Sequence, residues 1–337
     1  MPPFFFKSQL QAHFHLLDPL DSSEPYHSFL TRHAPSVLAL LCVGNTPVSS
    51  ETLSLLPSLK LVVGSSAGLD HIDLHECRRR GIAVTDAGQA FSEDVADFAV
   101  GLLIDVFIRM SAGDRYVRSG SWVTKGTYRL GGKSSVGQLR PSLPPLAVPT
   151  STPIRPSIKP PLDFCRKLSP FAVEKCSKLS GKRNGIVGLG RIGSEVAKRL
   201  VAFGCSIAYC SRKEKPLVPY AYYSTVNDLA KNSDGLILCF SLTKETHHMI
   251  DSGVMEALGK EGVVINIGRG ALIDEKELVK SLVQGRIGGA SLDVYEDEPS
   301  VPQELFAMEN VVLARDSNSG TQTLLRPLFR DNATVRN

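Results

Sequence analysis

From residue 184 to residue 314, short apolar runs alternate with amphipathic stretches. Positions 186–187, 206–210, 235–240, 263–267, 289–294 and 310–314 carry the apolar runs and read as strands. Positions 194–203, 226–231, 252–258 and 275–284 repeat apolar residues at helical spacing. Strands that are apolar almost throughout are covered on both faces, and strands alternating with helices pair in parallel. The pattern therefore predicts an α/β fold with parallel sheets and right-handed crossovers. Asn184 breaks it, being polar where the first strand wants an apolar side chain.

The earlier part of the chain repeats the theme less clearly. Positions 38–43, 59–63 and 82–85 read as strands, and 49–56 and 72–80 as helices. Residues 1–40 carry no legible period. Between the second strand and the second helix lies Gly64-Ser-Ser-Ala-Gly-Leu-Asp70, whose small residues can present backbone N–H groups to an anion. Ser92 is placed to cap a helix, with Glu93 and Asp94 in its first turn. From 95 to 108 that helix is apolar nearly all round, interrupted only by Asp97, Gly101 and Asp105. Such a helix must be covered on several sides. Either it is a central core helix, or a second copy covers part of it, as in a homodimer. Residues 114–122 lead towards a crossover.

The pattern stops between 133 and 178. Nine of the chain's 21 prolines fall between Gly137 and Pro170, and neither period is present. Proline lacks the N–H that helices and sheets use, so the stretch is expected to be a disordered insertion outside the core. Removing it would join Gly131-Gly132 to Gly181-Lys182 by a short connection of ordinary length.

Composition narrows the class. A length of 337 residues fits about two domains, and 42% hydrophobic residues can build sizeable cores. A scattered net charge of +4 argues against a nucleic-acid partner. The seven cysteines include no Cys-x-x-Cys, which argues against a disulfide framework or a zinc site and for a reducing compartment. No apolar run reaches membrane-spanning length and no signal peptide is evident, so the cytosol is the default expectation.

The chemistry concentrates at Gly188-Leu-Gly-Arg-Ile-Gly193, between the strand at 186–187 and the helix at 194–203. Gly188 lets the chain turn sharply, Gly190 lets a pyrophosphate approach the backbone, and Gly193 lets helix and strand pack closely. The helix N-terminus then faces the phosphates. The expected cofactor contacts are Gly188, Leu189, Gly190, Arg191, Ile192 and Gly193. Dinucleotide folds usually end the second strand on an acid that holds the ribose 2′-hydroxyl. This strand ends on Ser211-Arg212-Lys213 instead. A hydroxyl and two cations suit a 2′-phosphate, so NADP(H) is expected in preference to NAD(H).

Three ordered segments, Leu189–Gly193, Asn266-Ile-Gly-Arg-Gly270 and Leu292-Asp-Val-Tyr-Glu-Asp-Glu-Pro299, together resemble the D-isomer-specific 2-hydroxyacid dehydrogenases. The resemblance is strongest to the plant-type glyoxylate/hydroxypyruvate and hydroxyphenylpyruvate reductases. It covers about 36–132 and 179–314, and Ser211–Lys213 and Asp94-Val-Ala-Asp97 fit that subgroup. It implies two Rossmann-like domains, a cofactor domain at 126–309 inserted in a flavodoxin-like substrate domain at 1–125 and 310–337. It also implies a homodimer. Arg269 matches the arginine that holds a 2-oxo acid, and Glu298 the acid that orients a catalytic histidine and raises its pKa. Asp293 matches a residue beside the nicotinamide carboxamide, and Ile267 a backbone cofactor contact. Ser66, Ala67 and Gly68 match the segment whose amides hold the substrate carboxylate.

One departure bears on activity. The family places its catalytic histidine soon after the last strand, where this chain reads Arg315-Asp316, and no histidine follows His248. His247 and His248 fall on a loop near the cofactor and are not expected to donate the proton. Asp316 would face the like charge of Glu298, with coupled titrations, and would compete for Arg269. The resemblance thus implies reduction of hydroxypyruvate, glyoxylate or hydroxyphenylpyruvate to the D-2-hydroxy acid, impaired at the proton-transfer step. The alternative is a cofactor-binding homologue without turnover, acting as a dimer partner or regulator.

Overall fold

The computed structural model describes residues 4–42, 46–65, 68–86, 88–128 and 179–315. The stretch 133–178, Ser66, Ala67 and Asp316 lie outside the described residues. The first part holds α1 (Phe4–Gln11), α2 (Tyr26–His33), β1 (Ala39–Cys42), α3 (Ser50–Ser54), β2 (Leu61–Gly64), α4 (Leu74–Arg79) and β3 (Ala83–Thr85). Then come α5 (Ser92–Ile108), α6 (Met110–Arg118) and α7 (Ser121–Lys125). After Leu179 follow β4 (Arg183–Val187), α8 (Arg191–Ala202), β5 (Ser206–Cys210), β6 (Ala221–Tyr223), α9 (Val226–Lys231) and β7 (Gly235–Leu238). The described chain ends with α10 (Ser252–Leu258), β8 (Val263–Asn266), α11 (Glu275–Val283), β9 (Gly289–Leu292) and β10 (Val311–Leu313).

Two parallel sheets result. The smaller runs β1-β2-β3, in consecutive order. The larger runs β10-β9-β8-β7-β4-β5-β6, parallel throughout. Its order reverses between β4 and β7. In open α/β sheets the crevice beyond the strand C-termini at such a reversal is where ligands bind. Every residue of β7, β8 and β9 is buried, as the unbroken apolar runs required. One face packs Leu236, Leu238 and Val264 against α9, α10 and α11, and the other packs Ile186, Ile237 and Ile265 against α5 and α8.

The apolar helix at 95–108 is thus chiefly an intramolecular core element. α5 buries Ala96, Ala99, Val100, Leu102, Leu103, Val106 and Phe107 in the core shared with the larger sheet. Asp97, one of its few polar residues, accepts a hydrogen bond from Arg199 of α8. Val95, Phe98, Ile104 and Ile108 are half-buried. Two elements expected on the substrate side of the domain boundary, α5 and β10, belong by packing to the larger sheet. Ser92 does not cap α5: the N-cap is Phe91, with no side-chain hydrogen bond, and Ser92 is the first helical residue, buried.

The flaw noted at Asn184 is real. Its side chain is 1% exposed, and its amide has at best the Cys205 thiol, a weak hydrogen-bonding group, as a partner among the described residues. A buried amide so poorly partnered costs about 1–3 kcal/mol by protein mutational data. Asn184→Val, which keeps the strand and removes both amide atoms, should therefore stabilise the chain by about 1–2 kcal/mol. Urea unfolding followed by circular dichroism measures it; an unchanged or lowered midpoint counts against the assignment.

Candidate active site

The sharp turn out of β4 gives Gly188 a φ of +90°, a region that side chains rarely adopt. A Cβ there would stand 2.7 Å from both the Cys239 carbonyl oxygen and the Phe240 Cβ, just beyond β7. At Gly193 a Cβ would fall 2.3 Å from the Gly188 carbonyl oxygen. At Gly190 it would meet nothing within 4 Å. Two glycines are thus needed for packing, and the middle one faces open space, as a pyrophosphate site needs. The helix start agrees. α9, α10 and α11 each open on a Thr or Asp side chain that accepts a backbone N–H. α8 opens on Gly190 with no side-chain cap, leaving its first N–H groups and positive dipole end for an anion.

The loop after β5 folds back towards this bend. The Ser211 hydroxyl donates to the Lys213 carbonyl at 2.6 Å, and Tyr222 donates to the Ser211 carbonyl at 3.3 Å. Arg212 and Lys213 are exposed and take no ion-pair partner among the described residues. Lys215, which the sequence reading missed, donates its ammonium to the Leu189 carbonyl while its backbone N–H donates to Tyr209 Oη at 2.8 Å. Its only sequence signal was one more cation beyond Lys213. Arg191 extends towards Asp86, 3.7 Å away. These residues fit a phosphorylated dinucleotide: an open glycine bend, an uncapped helix, and Arg212 and Lys213 without a carboxylate partner among the described residues.

Arg269 stands on the loop after β8. Asn266, 1% exposed, fixes that loop by accepting from the Gly268 N–H at 3.1 Å and donating to the Arg269 carbonyl at 2.9 Å. A Cβ on Gly270 would overlap the Tyr295 carbonyl carbon at 1.9 Å, so the arginine loop is pressed against the strand-exit loop that carries Glu298. The guanidinium reaches the smaller sheet. Its Nε and Nη2 donate to the two Asp70 carboxylate oxygens at 2.9 and 2.8 Å, and Nη1 donates to the Gly268 carbonyl at 2.8 Å. A Cβ on Gly68 would lie 2.5 Å from Arg269 Nη2. The substrate loop expected at Ser66, Ala67 and Gly68 therefore meets the expected arginine at its described member.

Asp70 and His71 were not singled out by sequence. Burial pushes the Asp70 carboxyl up, but the Arg269 hydrogen bonds and charge together outweigh it and hold the pKa below the usual range. Burial also pushes His71 down, and both its ring nitrogens lack hydrogen-bond partners among the described residues. The signs follow. The Asp70 contribution is complete above about pH 4, the ordinary carboxylate value, and is lost as pH falls through the depressed folded value. For His71 the unfolded chain takes up a proton below about pH 6.5 that the folded site refuses, so stability falls as pH drops through that value. Melting temperatures measured from pH 7.5 to 5.5 should fall, and His71→Phe should flatten the slope; an unchanged slope would remove His71 as the cause.

Glu298 accepts from the Tyr295 N–H at 3.2 Å and is exposed. Tyr295, also missed in the sequence, donates to the Ala314 carbonyl at 2.8 Å. Burial and the nearby charges of Asp293, Glu275 and Glu298 push its phenol up to about 12, so it stays a neutral donor. Its bond pins the exit of β10, two residues before Asp316, to the Glu298 loop. Asp293 donates its backbone N–H to the Asn266 carbonyl at 3.0 Å, and Ile267 is 9% exposed beside it.

Comparison with known proteins agrees with this geometry. The family described as D-isomer specific 2-hydroxyacid dehydrogenase, NAD binding domain, matches residues 170–314. Glyoxylate/hydroxypyruvate reductase HPR3 of Arabidopsis thaliana is 52% identical over 299 residues, covering 89% of this chain and 79% of that protein. Hydroxyphenylpyruvate reductase of Plectranthus scutellarioides is 41% identical over 293 residues, covering 87% and 79%. Among solved structures, the NADPH-dependent glyoxylate/hydroxypyruvate reductase of Sinorhizobium meliloti in complex with NADP and malonate superposes with a TM-score of 0.70. It is 30% identical and covers 89% of this chain and 81% of that one. The chain belongs to the D-isomer-specific 2-hydroxyacid dehydrogenase family.

Proposed function

We propose that the chain binds NADPH and reduces a small 2-oxo acid, hydroxypyruvate, glyoxylate or hydroxyphenylpyruvate, to its D-2-hydroxy acid. One observation carries the reading: the Arg269 guanidinium already holds a carboxylate, that of Asp70, in a two-bond fork. A planar, always-charged fork suits the carboxylate and carbonyl of a 2-oxo acid equally well. The Ser66–Gly68 amides would hold the substrate carboxylate from the smaller sheet, so the site lies between a substrate unit built on that sheet and a cofactor unit built on the larger one. The bound nicotinamide supplies the hydride. The backbone at Ile267 and the Asp293 side chain would orient its carboxamide, and Arg269 would stabilise the negative charge that develops on the carbonyl oxygen. The last requirement is a proton for that oxygen, and Asp316 stands where the family resemblance puts a histidine.

The cation pair sets the cofactor. Replacing Arg212 and Lys213 together by alanine should weaken NADPH binding by about tenfold or more while leaving NADH nearly unaffected. Fluorescence titration with each nucleotide measures the two constants, and equal losses for both would count against a 2′-phosphate site. The reductase reading itself is tested by following NADPH oxidation with the three acids and analysing product chirality. A homodimer, with Met110, Val117, Trp122 and Val123 as its exposed apolar candidates, accompanies the proposal. The second reading, a cofactor-binding partner or regulator without turnover, is favoured by Asp316 and would appear as NADPH binding with no oxidation of any acid.

A further inference from the structure

Away from the arginine fork, the loop after β7 and the loop after β9 bring two imidazoles and a carboxylate together. His247 and His248 stack with ring centroids 3.9 Å apart and planes 27° from parallel. His248 Nε2 lies 2.8 Å from Glu296 Oε1. One donor atom each from His247, His248 and Glu296 fall within 4.8 Å of one another. His248 has a φ of +52°, uncommon outside glycine, and its N–H donates to the Ala271 carbonyl at 2.9 Å. These features fix the backbone at His248.

We infer that His247, His248 and Glu296 form a binding site for a divalent transition-metal ion of the Zn²⁺, Co²⁺ or Ni²⁺ type. A simple ion pair between His248 and Glu296 gives no role to His247. Imidazole lone pairs lie in the ring planes, so His247 has to turn out of the stack to share an ion with His248 and Glu296. Imidazole nitrogen and carboxylate oxygen suit these ions. They bind zinc at about 2.0–2.2 Å, so donors at tetrahedral positions on one ion lie about 3.3–3.6 Å apart. Closure onto an ion requires the His247 ring to rotate and the donor atoms, now spread over up to 4.8 Å, to draw together. His248 and Glu296 are about one-third exposed, which leaves the remaining positions to water. Glu296 also lines an open groove of about 500 Å³ with Glu275, Lys276, Val279, Asp297, Pro302 and Glu304, in which acids outnumber the single lysine. That excess of negative charge favours a cation. A bound ion would tie the loop after β7 to the loop carrying Glu298, whichever reaction the fork performs.

Calorimetric titration of the full-length chain with Zn²⁺ at neutral pH, after treatment with EDTA, tests the site. One equivalent should bind, and His247→Ala and Glu296→Gln should each weaken it by about tenfold or more. Both variants should match the parent's melting temperature in EDTA; where one does not, His247→Gln or Glu296→Ala replaces it with the same expected loss. Failure of the parent to take up one equivalent, or parent-like affinity in either folded variant, overturns the site.

Discussion

Asp316→His should raise the rate of NADPH-dependent reduction by about 10²–10⁴, the usual contribution of a positioned general acid. A carboxyl group of ordinary pKa, about 3.9, is ionised at neutral pH and cannot protonate an alkoxide. An imidazole near 6.5 can, and a carboxylate beside it raises its pKa further. The surroundings favour such a repair. Tyr295 joins the carbonyl of Ala314, two residues before position 316 in sequence, to the loop on which Glu298 sits. The substitution also removes a negative charge that would compete for Arg269. The gain should appear in kcat with little change in NADPH affinity. Stopped-flow measurement of NADPH oxidation with saturating hydroxypyruvate checks it, and an unaltered rate would place the defect in 133–178 or in the tail after 316.

Arg269→Ala, made in the Asp316→His chain so that the loss is measurable, should lower kcat/KM by about 10³. The guanidinium is asked both to hold the substrate carboxylate and to offset charge on the carbonyl oxygen, so kcat and KM should both suffer. Arg269→Lys should recover little, because an ammonium cannot supply the two-bond fork. Removal of Arg269 also leaves the Asp70 carboxylate without the two hydrogen bonds it takes from the guanidinium. Asp70→Asn alongside Arg269→Ala separates the effects: it should restore lost stability but not lost turnover. If the arginine were only a structural partner of Asp70, the double variant would regain activity.

The larger sheet was legible because each of its central strands is apolar on both faces, and burial of β7, β8 and β9 repeats that pattern residue by residue. β6 was missed because Ala221–Tyr223 is a short edge strand. α1 and α2 were missed because only Phe29 and Leu30 of α2 are buried, too few to set a period. The all-apolar α5 could be read as a central core helix or as one partly covered by a second copy; β8, β9, β10 and α8 of the same chain cover most of it. The glycine motif was readable because each glycine answers a different steric demand. Asp70, His71, Lys215 and Tyr295 were not, because their roles arise from contacts with partners distant in sequence, 199 residues away for the Asp70–Arg269 pair. His247 and His248 were legible only as a loop pair near the cofactor, because Glu296, which His248 meets, lies 48 residues further on.

The account rests on a site that still grips the reduced phosphorylated dinucleotide while missing its proton donor. Equilibrium titration of NADPH fluorescence with the full-length chain tests the first half most directly. The account predicts saturable enhancement, with NADH binding about tenfold or more weaker. A chain that leaves NADPH fluorescence unchanged and also fails to bind it by calorimetry would contradict it.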